Sequence, residues 1–548
     1  MSFINFSNPE FYIATTLAVL NSFILLGAGY KFFQIVQLYG YKISGFFKWE
    51  KQTKFKYFSQ LLFLSILSFG GIIVFNVVFS SFNISNYYSY ISLIFYFSLG
   101  IIFFRNILGE SKKTPLKETR RVFRMRIAFF IISFAISFVL IVFPVFLTKY
   151  LRFGLVAFTP LLLYIIFPLS FFVELPLEKI IQIFYITKAK KKLQKLERIK
   201  PKIKIGITGS FGKTSVKMIL ANILSQKFNV SYSPASFNTP MGLTKYILKN
   251  VNEKDDILIA EMGARNVGDI KKLCKIICPD IAIISAIGPQ HLESFKNIDN
   301  IKKTKLEIVS NSKPNAKIFV GDDNNLKQVF DGIKKQKFMA TSENDEGCFA
   351  FVSKQVVGEK GSEVEMNVNG EKFSFSTKLL GEANVKNIAL AISVAFALGL
   401  SVEEIIKGVE SLSSIPHRLE IIHAPNGVIV LDDSYNASPV GTKIALDVLS
   451  KFGKRTKWVM TPGLVEQGKN QKNANFEFGQ EIAKVADGVI VVNKINKDSI
   501  LSGLKSSGFD EGKIYFAEKL EDGKKIITEK LKKGSVLLIE NDLPDNFV

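Results

Sequence analysis

The stretch "KIKIGITGSFGKTSVKMIL" has the residue types and spacing of a phosphate-binding segment. β-Branched residues end at Thr208 and helical periodicity begins at Lys213, so the turn between them would direct backbone N–H groups and a helix dipole at an anion. Gly209 and Gly212 permit close approach of the backbone. Lys213 would reach the terminal phosphates of a nucleotide, and the Thr214 hydroxyl would bind Mg²⁺. The predicted contacts are Thr208, Gly209, Ser210, Gly212, Lys213, Thr214 and Ser215.

Strands and helices that alternate along the chain would hold this segment in place. "KIKIGIT", "DILIAEM" and "IAIISAI" are typical of buried strands, and "DIKKLCKII" is typical of a helix. This alternation predicts a parallel sheet covered by helices on both faces. Residues 317–378 are richer in glycine and polar residues, which predicts a β-rich insertion or edge. Beyond a boundary at Ser413 to Arg418, five strand-like runs predict a second doubly wound domain.

Five long apolar runs precede this part of the chain. The whole chain contains 50 Phe among its 548 residues. Each run has almost no charge and extends over about 17–22 residues, the length that a helix needs to cross a bilayer. Because no polar helix face separates them, transmembrane spans explain the runs better than buried helices of a soluble protein do. Pro160 and Pro168 predict a kink in the last run. The runs are Phe11–Tyr30, Phe58–Phe79, Tyr88–Phe104, Ile127–Leu147 and Phe153–Val173.

The loops between the runs differ in their content of Lys and Arg, and this difference predicts their sidedness. The loops at residues 42–56 and 105–126 are basic, whereas "SSFNISNYY" carries no charge. Basic loops stay on the cytoplasmic side, so the N-terminus would lie outside and the chain after about residue 176 in the cytoplasm. Met1 to Tyr30 has no basic leading region, which favours a retained span over a signal peptide. We expect a multi-pass protein of the cytoplasmic (inner) membrane.

The formal net charge of +23 is concentrated beside the predicted spans and in "ITKAKKKLQKLERIKPKIK". Attraction to anionic lipid explains this placement better than nucleic-acid binding does. We therefore expect the lipid bilayer, and no nucleic acid, as a partner. Cys274, Cys278 and Cys348 fall in the predicted cytoplasmic part, where thiols are the expected state and neither a disulfide nor a metal site is assigned.

The form "TGSFGKT" resembles the phosphate loop of the Mur ligases, and the resemblance extends over most of residues 202–548. Further motifs follow in the order of that family: "SFNTPMGLT", "LIAEMGARNVGDI", "ISAIGPQHLESF", "TKLEI", "GEANVKNIALAISVAFALG", "PHRLE" and "LDDSYNASP". Within the family, the chain is most similar to the MurF subgroup, which adds a D-alanyl-D-alanine-type dipeptide to a UDP-linked precursor.

Together, the apolar runs and the resemblance predict a multidomain fold, in which an N-terminal α-helical transmembrane region precedes two α/β domains. It implies a central ATP-binding domain with the P-loop at residues 202–412 and a Rossmann-like C-terminal domain at 413–548. The predicted membrane domain occupies residues 1–176, and a basic linker helix occupies 177–201.

The resemblance also implies a reaction. ATP would phosphorylate a substrate carboxylate, and an amine would attack the acyl phosphate to give an amide, ADP and phosphate. Such a transfer depends on positioning and on neutralisation of charge. By resemblance, the catalytic residues are Lys213, Glu261, His291 and Lys305, and the Mg²⁺ ligands are Thr214, Glu261, His291 and Lys305, the last after carbamylation.

Further site residues follow from the same resemblance. The nucleotide contacts beyond the phosphate loop would be Asn384, Asn387, Arg418 and Asp433, and the substrate contacts Asn238, Thr239, Tyr435 and Asn436. Asn384 could instead, or also, be a helix N-cap. Lys305 could instead be a plain solvated lysine, because Lys302 and Lys303 could shift the alignment of "IKKTKLEI" with the family motif.

Two departures from the family concern the substrate. The apolar part leads almost directly into the phosphate loop, without a small UDP-binding domain, and Asn475 stands where a MurF-like His is expected. We expect a small-molecule or lipid-linked wall precursor as acceptor and an amino acid or dipeptide as the second substrate. The alternatives are a ligase for an acceptor outside peptidoglycan and a non-catalytic ATP-binding scaffold.

Overall fold

The computed structural model describes residues 9–80, 98, 100–101, 115–142, 156–234, 237–343, 345, 347–435 and 437–542. These residues form two compact units, which divide between Ile183 and Phe184. The N-terminal unit is helical. Its helices are α1 (Pro9–Ala28), α2 (Tyr30–Leu38), α3 (Ile43–Gln52), α4 (Lys56–Ser80), α5 (Arg120–Val142) and the first part of α6 (Leu163–Ile199), which follows a 3₁₀ turn at Thr159–Leu162.

Four helical stretches among the described residues are long and apolar enough to cross a membrane: Thr15–Leu38, Lys56–Val74, Arg120–Ile141 and Thr159–Ile199. They overlap the first, second, fourth and fifth predicted runs. The third run, Tyr88–Phe104, lies outside the described residues except for positions 98, 100 and 101. Pro168 and Pro176 lie inside α6, a 37-residue helix that continues past the predicted bound at residue 176.

A nine-stranded sheet organises residues 203–377, in the order β2-β3-β1-β4-β5-β6-β7-β8-β9. Neighbouring strands from β2 to β7 in this order pair in parallel. The last two pairs, β7 with β8 and β8 with β9, are antiparallel and form the predicted β-rich edge. The strands are β1 (Ile203–Thr208), β2 (Val230–Tyr232), β3 (Ile257–Glu261), β4 (Ile281–Ile284), β5 (Lys317–Val320), β6 (Lys337–Thr341), β7 (Ala350–Gly358), β8 (Gly361–Val368) and β9 (Glu371–Thr377).

Helices cover both faces of this sheet. Along β3, Ile257 and Ile259 belong to one apolar cluster, whereas Leu258 and Ala260 belong to the other. A strand buried on both faces reads as a continuous apolar run, which is why "DILIAEM" predicts a central strand. The helices of this part are α7 (Lys213–Leu224), α8 (Pro240–Lys249), α9 (Asp269–Ile277), α10 (Leu292–Phe295), α11 (Ile298–Asn311), α12 (Asn324–Phe330), α13 (Glu382–Ala397) and α14 (Val402–Glu410).

A second sheet of six strands has the order β10-β11-β15-β12-β13-β14, and only β10 in it runs antiparallel to its neighbour. It agrees with the predicted doubly wound pattern of the C-terminal part. Its strands are β10 (Glu420–His423), β11 (Ile429–Asp433), β12 (Lys457–Thr461), β13 (Gly488–Val492), β14 (Ile514–Ala517) and β15 (Val536–Glu540). Its helices are α15 (Pro439–Ser450), α16 (Gln471–Ala483), α17 (Lys497–Ser506) and α18 (Leu520–Lys530).

The strand order places a crevice at the carboxyl end of β1. This strand lies between β3 and β4, with Ile207 opposite Glu261 and Thr208 opposite Ile284. Loops at the carboxyl ends of adjacent parallel strands lie side by side, and in open α/β sheets ligands bind there. The phosphate-binding segment is therefore flanked by the loops that follow β3 and β4.

Candidate active site

The phosphate-binding segment has a backbone that requires glycine at two positions. Gly209 and Gly212 have φ values of +152° and +76°. A Cβ atom on Gly209 would lie 2.0 Å from Ser285 Oγ, and one on Gly212 would lie 2.5 Å from Asn387 Oδ1. The Ser210 hydroxyl donates to the Gly288 carbonyl at 2.9 Å and fixes the loop to the segment after β4. The loop is therefore built in the conformation that brings N–H groups to a phosphate.

The Lys213 ammonium group lies over this loop and donates to the carbonyls of Gly209 at 2.8 Å and Ser210 at 3.2 Å. Burial lowers the pKa of Lys213 to about 8; the Glu261 carboxylate opposes this change and the Arg418 guanidinium adds to it. An ammonium group in this setting gains from an anionic ligand, because the nearby carbonyls supply only partial charges.

Glu261, at the end of β3, has hydrogen bonds to three side chains. Its Oε2 accepts from Thr214 Oγ1 and from Lys217 Nζ, both at 3.0 Å, and its Oε1 accepts from Asn238 Nδ2 at 3.1 Å. Burial alone would raise the pKa of Glu261. The ammonium groups of Lys217 and Lys213 and the hydrogen bonds outweigh burial, so the pKa lies below its usual value. Glu261 is therefore ionised and tied to the phosphate loop on one side and to the 238 loop on the other.

Lys217 is a site residue that the sequence analysis missed. Its side chain and that of Glu261 are only 1% and 2% exposed. The residue lies one helical turn after Lys213, and its neighbours Val216 and Leu220 are fully buried. The usable signal was a lysine among core positions of an otherwise apolar helix, since a lysine is almost never fully buried unless it is paired.

The donor set at Thr214 and Glu261 fits a magnesium ion. A hydroxyl and an ionised carboxylate lie within 3.0 Å of each other beside the phosphate loop. Mg²⁺ prefers oxygen ligands and is commonly held by one or two carboxylates together with substrate phosphates. Lys305, on α11, is 2% exposed. Burial, together with the charge of Lys213, holds its pKa well below the usual range, against the attraction of Asp269, Glu261 and Glu307.

His291, in the loop after β4, has a backbone φ of +51° and its Nδ1 hydrogen-bonds to Glu466 Oε2. Glu466 follows β12 in the second sheet, and its Oε1 lies 3.9 Å from the Arg265 guanidinium. Sequence reasoning missed this carboxylate, because nothing local in "TPGLVEQG" indicates a contact with a loop 175 positions away.

Two of the predicted nucleotide residues, Asn384 and Asn387, lie in the first two turns of α13. Asn387 lies against Gly212 of the phosphate loop. Asn384 is buried and donates from Nδ2 to the Leu380 carbonyl at 2.8 Å. The interpretation of Asn384 as a helix cap is wrong, because α13 starts one turn earlier with Gly381 as its N-cap. The Asn384 side chain nevertheless satisfies a main-chain carbonyl that lies just before the helix.

Arg418, which precedes β10, lies close to Asp433, the last residue of β11. The Arg418 guanidinium stacks on the Tyr435 ring at 4.4 Å, and Asp433 Oδ1 accepts from the Leu419 N–H at 3.2 Å. Burial raises the pKa of Asp433 to about 6, against the attraction of Arg418 and the Leu419 N–H, and the charge of Asp432 adds to the rise. Opposite Asp433 lies Glu540, which is fully buried.

Glu540 was also missed by sequence reasoning. Neither of its carboxylate oxygens accepts a hydrogen bond from any residue that the structure describes. Burial, with the charge of Asp433, raises its pKa well above the usual value, while Arg418 opposes the rise. A half-buried acid, Asp433, and a fully buried one, Glu540, therefore face each other across β11 and β15, with one arginine nearby.

The remaining predicted residues have ordinary placements. Thr239 caps α8, where its side chain accepts from the Gly242 N–H at 3.2 Å. Ser215 is buried in the first turn of α7, and Tyr435 is half exposed. Asn436 lies outside the described residues. Asn475 is fully buried and bonded to the main chain of Leu464, so it has a structural role in the loop that carries Glu466.

Two family models match this chain. The Mur ligase middle domain matches residues 207–395, and the Mur ligase glutamate ligase domain matches residues 417–540. Together they cover more than half of the chain and include the described residues of the site.

Relatives and solved structures give the same result. The chain is 27% identical over 341 residues to a UDP-N-acetylmuramoyl-tripeptide–D-alanyl-D-alanine ligase of Bacillus subtilis, covering 61% of this chain and 72% of that protein. The MurF ligase of Thermotoga maritima in complex with ADP is 29% identical, with a TM-score of 0.59 over 66% of this chain and 80% of that one. A folylpolyglutamate synthase of Mycobacterium tuberculosis, 16% identical with a TM-score of 0.52, covers 66% of this chain and 92% of its own and shares the fold.

Proposed function

The chain belongs to the Mur ligase family of ATP-dependent, ADP-forming amide ligases, and we propose that it is a membrane-anchored member that completes a cell-wall precursor. The ligase would join an amino acid or dipeptide to an activated carboxylate of a peptidoglycan precursor. The observation that carries this proposal is the contact of Thr214, Lys217 and Asn238 with Glu261, which connects the phosphate loop to a predicted substrate loop through one carboxylate.

The residues of the chain have distinct tasks in this reaction. Lys213 and the loop N–H groups hold the β- and γ-phosphates of ATP and neutralise charge that moves onto the transferred group. Thr214, Glu261 and His291 would hold Mg²⁺, which would supply neutralisation of the phosphate charge. Transfer of the γ-phosphoryl group to the substrate carboxylate forms the acyl phosphate and releases ADP. Amine attack on the acyl phosphate then forms the amide, with loss of inorganic phosphate and of one proton from the amine.

Lys305 is the residue that we propose to be carbamylated. A buried lysine with a lowered pKa is available as a neutral amine, the form that reacts with CO₂. The product is an anion, which can lie beside Mg²⁺, whereas an ammonium group would repel the ion. Activity that falls in bicarbonate-free buffer and recovers on addition of bicarbonate, in wild type but not in Lys305→Arg, would support this assignment.

The nucleotide and the substrates would bind between the two sheets. We assign Asn384 and Asn387 to the adenine end, and Arg418 and Asp433 to the nucleotide from the other side. Asn238 and Thr239, Tyr435 and Asn436 are assigned to the substrates. Arg418 is suited to phosphate because its planar fork donates two parallel hydrogen bonds.

The apolar helices support a membrane location. Large apolar side chains, such as Phe63 and Phe172, are 67% and 58% exposed along the candidate spans. Exposed side chains of this size on long apolar helices are matched by lipid better than by water. We propose a multi-pass protein of the cytoplasmic membrane, with its N-terminus outside and the α/β part in the cytoplasm, where ATP is available. The spans would bring the ligase to a lipid-linked acceptor.

Mass spectrometry of nucleotide-linked and lipid-linked wall precursors tests the proposal. Cells depleted of the protein would be complemented with wild type, Lys213→Ala or the exposed control Lys484→Ala. We expect Lys213→Ala to accumulate a precursor that lacks one amino acid or dipeptide, and the control to resemble wild type. Accumulation in the lipid-linked pool would support the membrane acceptor, and accumulation in the nucleotide-linked pool would contradict it. No change in either pool would overturn the wall-precursor assignment.

A further inference from the structure

The loop at residues 462–466, between β12 and the start of α16, is held by buried amide side chains. Asn475 accepts from the Leu464 N–H at 2.7 Å and donates to its carbonyl at 2.9 Å. Asn496 donates to the carbonyls of Pro462 and Leu464, and Asn541 donates to that of Gly463. These residues, with Gln467, which donates to the Val465 carbonyl, form what we call the amide clamp.

The amide clamp fixes the loop on every side. Asn475, Asn496, Asn541 and Gln467 are between 0% and 7% exposed, so water does not compete for their hydrogen bonds. Gly463, with φ of +81°, has Asn475 Oδ1 only 2.4 Å from the position of a Cβ atom. A loop with so many buried and satisfied amides is rigid, although it contains no helix or strand.

The clamped loop ends in a residue with an unfavourable backbone conformation. Glu466 has φ of +61°, a region that L-residues other than Asn and Asp rarely adopt. Such conformations persist only where the surrounding structure imposes them, and they are common at functional sites. The amide clamp supplies that constraint and directs the Glu466 side chain out of the second sheet.

The Glu466 carboxylate connects two loops of the first sheet. Oε2 hydrogen-bonds to His291 Nδ1, after β4, and Oε1 lies 3.9 Å from Arg265, after β3. The strands β3 and β4 flank β1, so these two loops flank the phosphate loop. Glu466, from the loop after β12, thus contacts the loops on both sides of the proposed phosphate-binding crevice.

The contact also determines which His291 nitrogen is available. An imidazole that donates its Nδ1–H to a carboxylate keeps the Nε2 lone pair free for a cation. Histidine ligands of metal ions usually have such a carboxylate partner, which fixes the tautomer and the orientation of the ring. Here the carboxylate is supplied by a different domain from the imidazole.

We propose that Glu466 is a positioning residue: it holds His291 in the orientation and tautomer that the site requires. The proposal rests on the proposed function for the identity of the ligands, but the contact itself can be measured independently. Arg265 lies 3.9 Å from the second oxygen of the carboxylate and offsets part of its charge.

Metal binding gives the first test. Electron paramagnetic resonance would measure the affinity of Mn²⁺, as a probe for Mg²⁺, for the full-length protein in detergent with ADP present. We expect Glu466→Ala to weaken Mn²⁺ binding by about 10- to 100-fold, the usual effect of removing a carboxylate partner of a histidine ligand. Glu466→Asp should recover part of the loss. Glu477→Ala, an exposed glutamate of the same domain, is the matched control and should bind as wild type.

A spectroscopic test does not require any ligand. The chain has 3 His, so selective ¹⁵N-histidine labelling gives few imidazole signals in solid-state NMR of the protein in lipid. His291→Gln would assign the His291 signals. We expect a protonated Nδ1 and an unprotonated Nε2 in wild type and in Glu477→Ala, and a changed pattern in Glu466→Ala.

The outcomes separate this proposal from the proposed function. Unchanged His291 signals in Glu466→Ala would overturn the positioning role, and so would changed signals with wild-type Mn²⁺ affinity. If wild type did not bind ADP at all, or if Lys213→Ala bound it equally well, the proposed function would fail. The NMR comparison would in that case still decide whether Glu466 orients His291.

Discussion

Lys217 shows how one buried charge can organise a site. Its ammonium group and the Glu261 carboxylate are almost completely removed from water and lie 3.0 Å apart. Such a pair repays its desolvation only with good geometry and further hydrogen bonds, which Thr214 and Asn238 supply. Removing one partner is costly, because the other charge stays buried.

Replacing Lys217 by Met should therefore destabilise the central domain by about 3 kcal/mol. Hydrogen exchange of the amides in β1 and β3 would measure the change in opening free energy. The control Lys484→Met breaks the exposed pair with Glu481 and should cost less than about 1 kcal/mol. Equal effects of the two substitutions would contradict the role that we assign to the buried pair.

The acids Asp433 and Glu540 predict a pH dependence of stability. In an unfolded chain both carboxyl groups titrate at a pKa of about 4, whereas in the folded protein burial raises the pKa of Asp433 to about 6 and raises that of Glu540 well above the usual range. The folded state therefore binds more protons, and its free energy of unfolding falls as the pH rises from about 4 through 6 and above.

Glu540→Gln removes one of these titrations without changing the shape of the side chain. We expect the variant to resist hydrogen exchange in β11 and β15 better than wild type at pH 8, and to be similar to wild type at pH 4. Glu477→Gln, at an exposed position, should leave the pH dependence unchanged. A wild-type pH dependence in Glu540→Gln would show that Glu540 is not the titrating group.

At the scale of elements, the phosphate loop is the part that the sequence predicts best. Its function depends on a contiguous turn between β1 and α7, and the positions of Gly209, Gly212 and Lys213 are local properties of the chain. To predict the role of Lys217 from the sequence, one further step was needed: recognising that this lysine lies on the buried face of α7. Glu466 and Glu540 were not predictable, since their roles depend on a loop fixed by distant amides and on the register of β11 with β15.

Gly209→Ala should weaken nucleotide binding strongly, because a φ of +152° is unfavourable for alanine. The added Cβ would also displace the Ser285 hydroxyl, which lies 2.0 Å away, and would lie 3.2 Å from the main-chain atoms Ala286 N and Phe211 O. Equilibrium binding of ADP to the full-length protein would measure the loss. Gly399→Ala is the matched control: its φ of +80° is also unfavourable for alanine, but no atom lies within 4 Å of the added Cβ. We expect the control to lose about 1–2 kcal/mol of stability and to bind ADP normally.

At the scale of the whole molecule, the chain joins a helical unit rich in exposed apolar side chains to a Mur ligase unit. Hydropathy predicts the long apolar helices, and the motifs predict the Mur ligase domains that follow them. The predicted domain bounds stay predictions, and the bound at residue 176 falls inside α6. A helix can continue past the end of an apolar run, because its hydrogen bonds do not depend on the solvent around it.

Cys278 allows the proposed sidedness to be tested on the native sequence. It is an exposed free thiol of the α/β part, whereas Cys274 is buried. A maleimide that cannot cross membranes should label Cys278 in inside-out vesicles and not in intact spheroplasts. Cys278→Ser should reduce that labelling to what the half-buried Cys348 contributes. Labelling in spheroplasts would place the catalytic part outside and contradict the proposed orientation.

The members of the amide clamp depend on one another in a way that should be visible in evolution. Each buried amide satisfies a main-chain group, and Asn496 also accepts from Gln471 at 3.0 Å. Losing a single member leaves a buried donor or acceptor without a partner, at a cost of about 1–3 kcal/mol. Lineages that replace one of these amides are therefore expected to replace its neighbours too, so that positions 475, 496 and 541 are inherited as a set while the surface around them drifts.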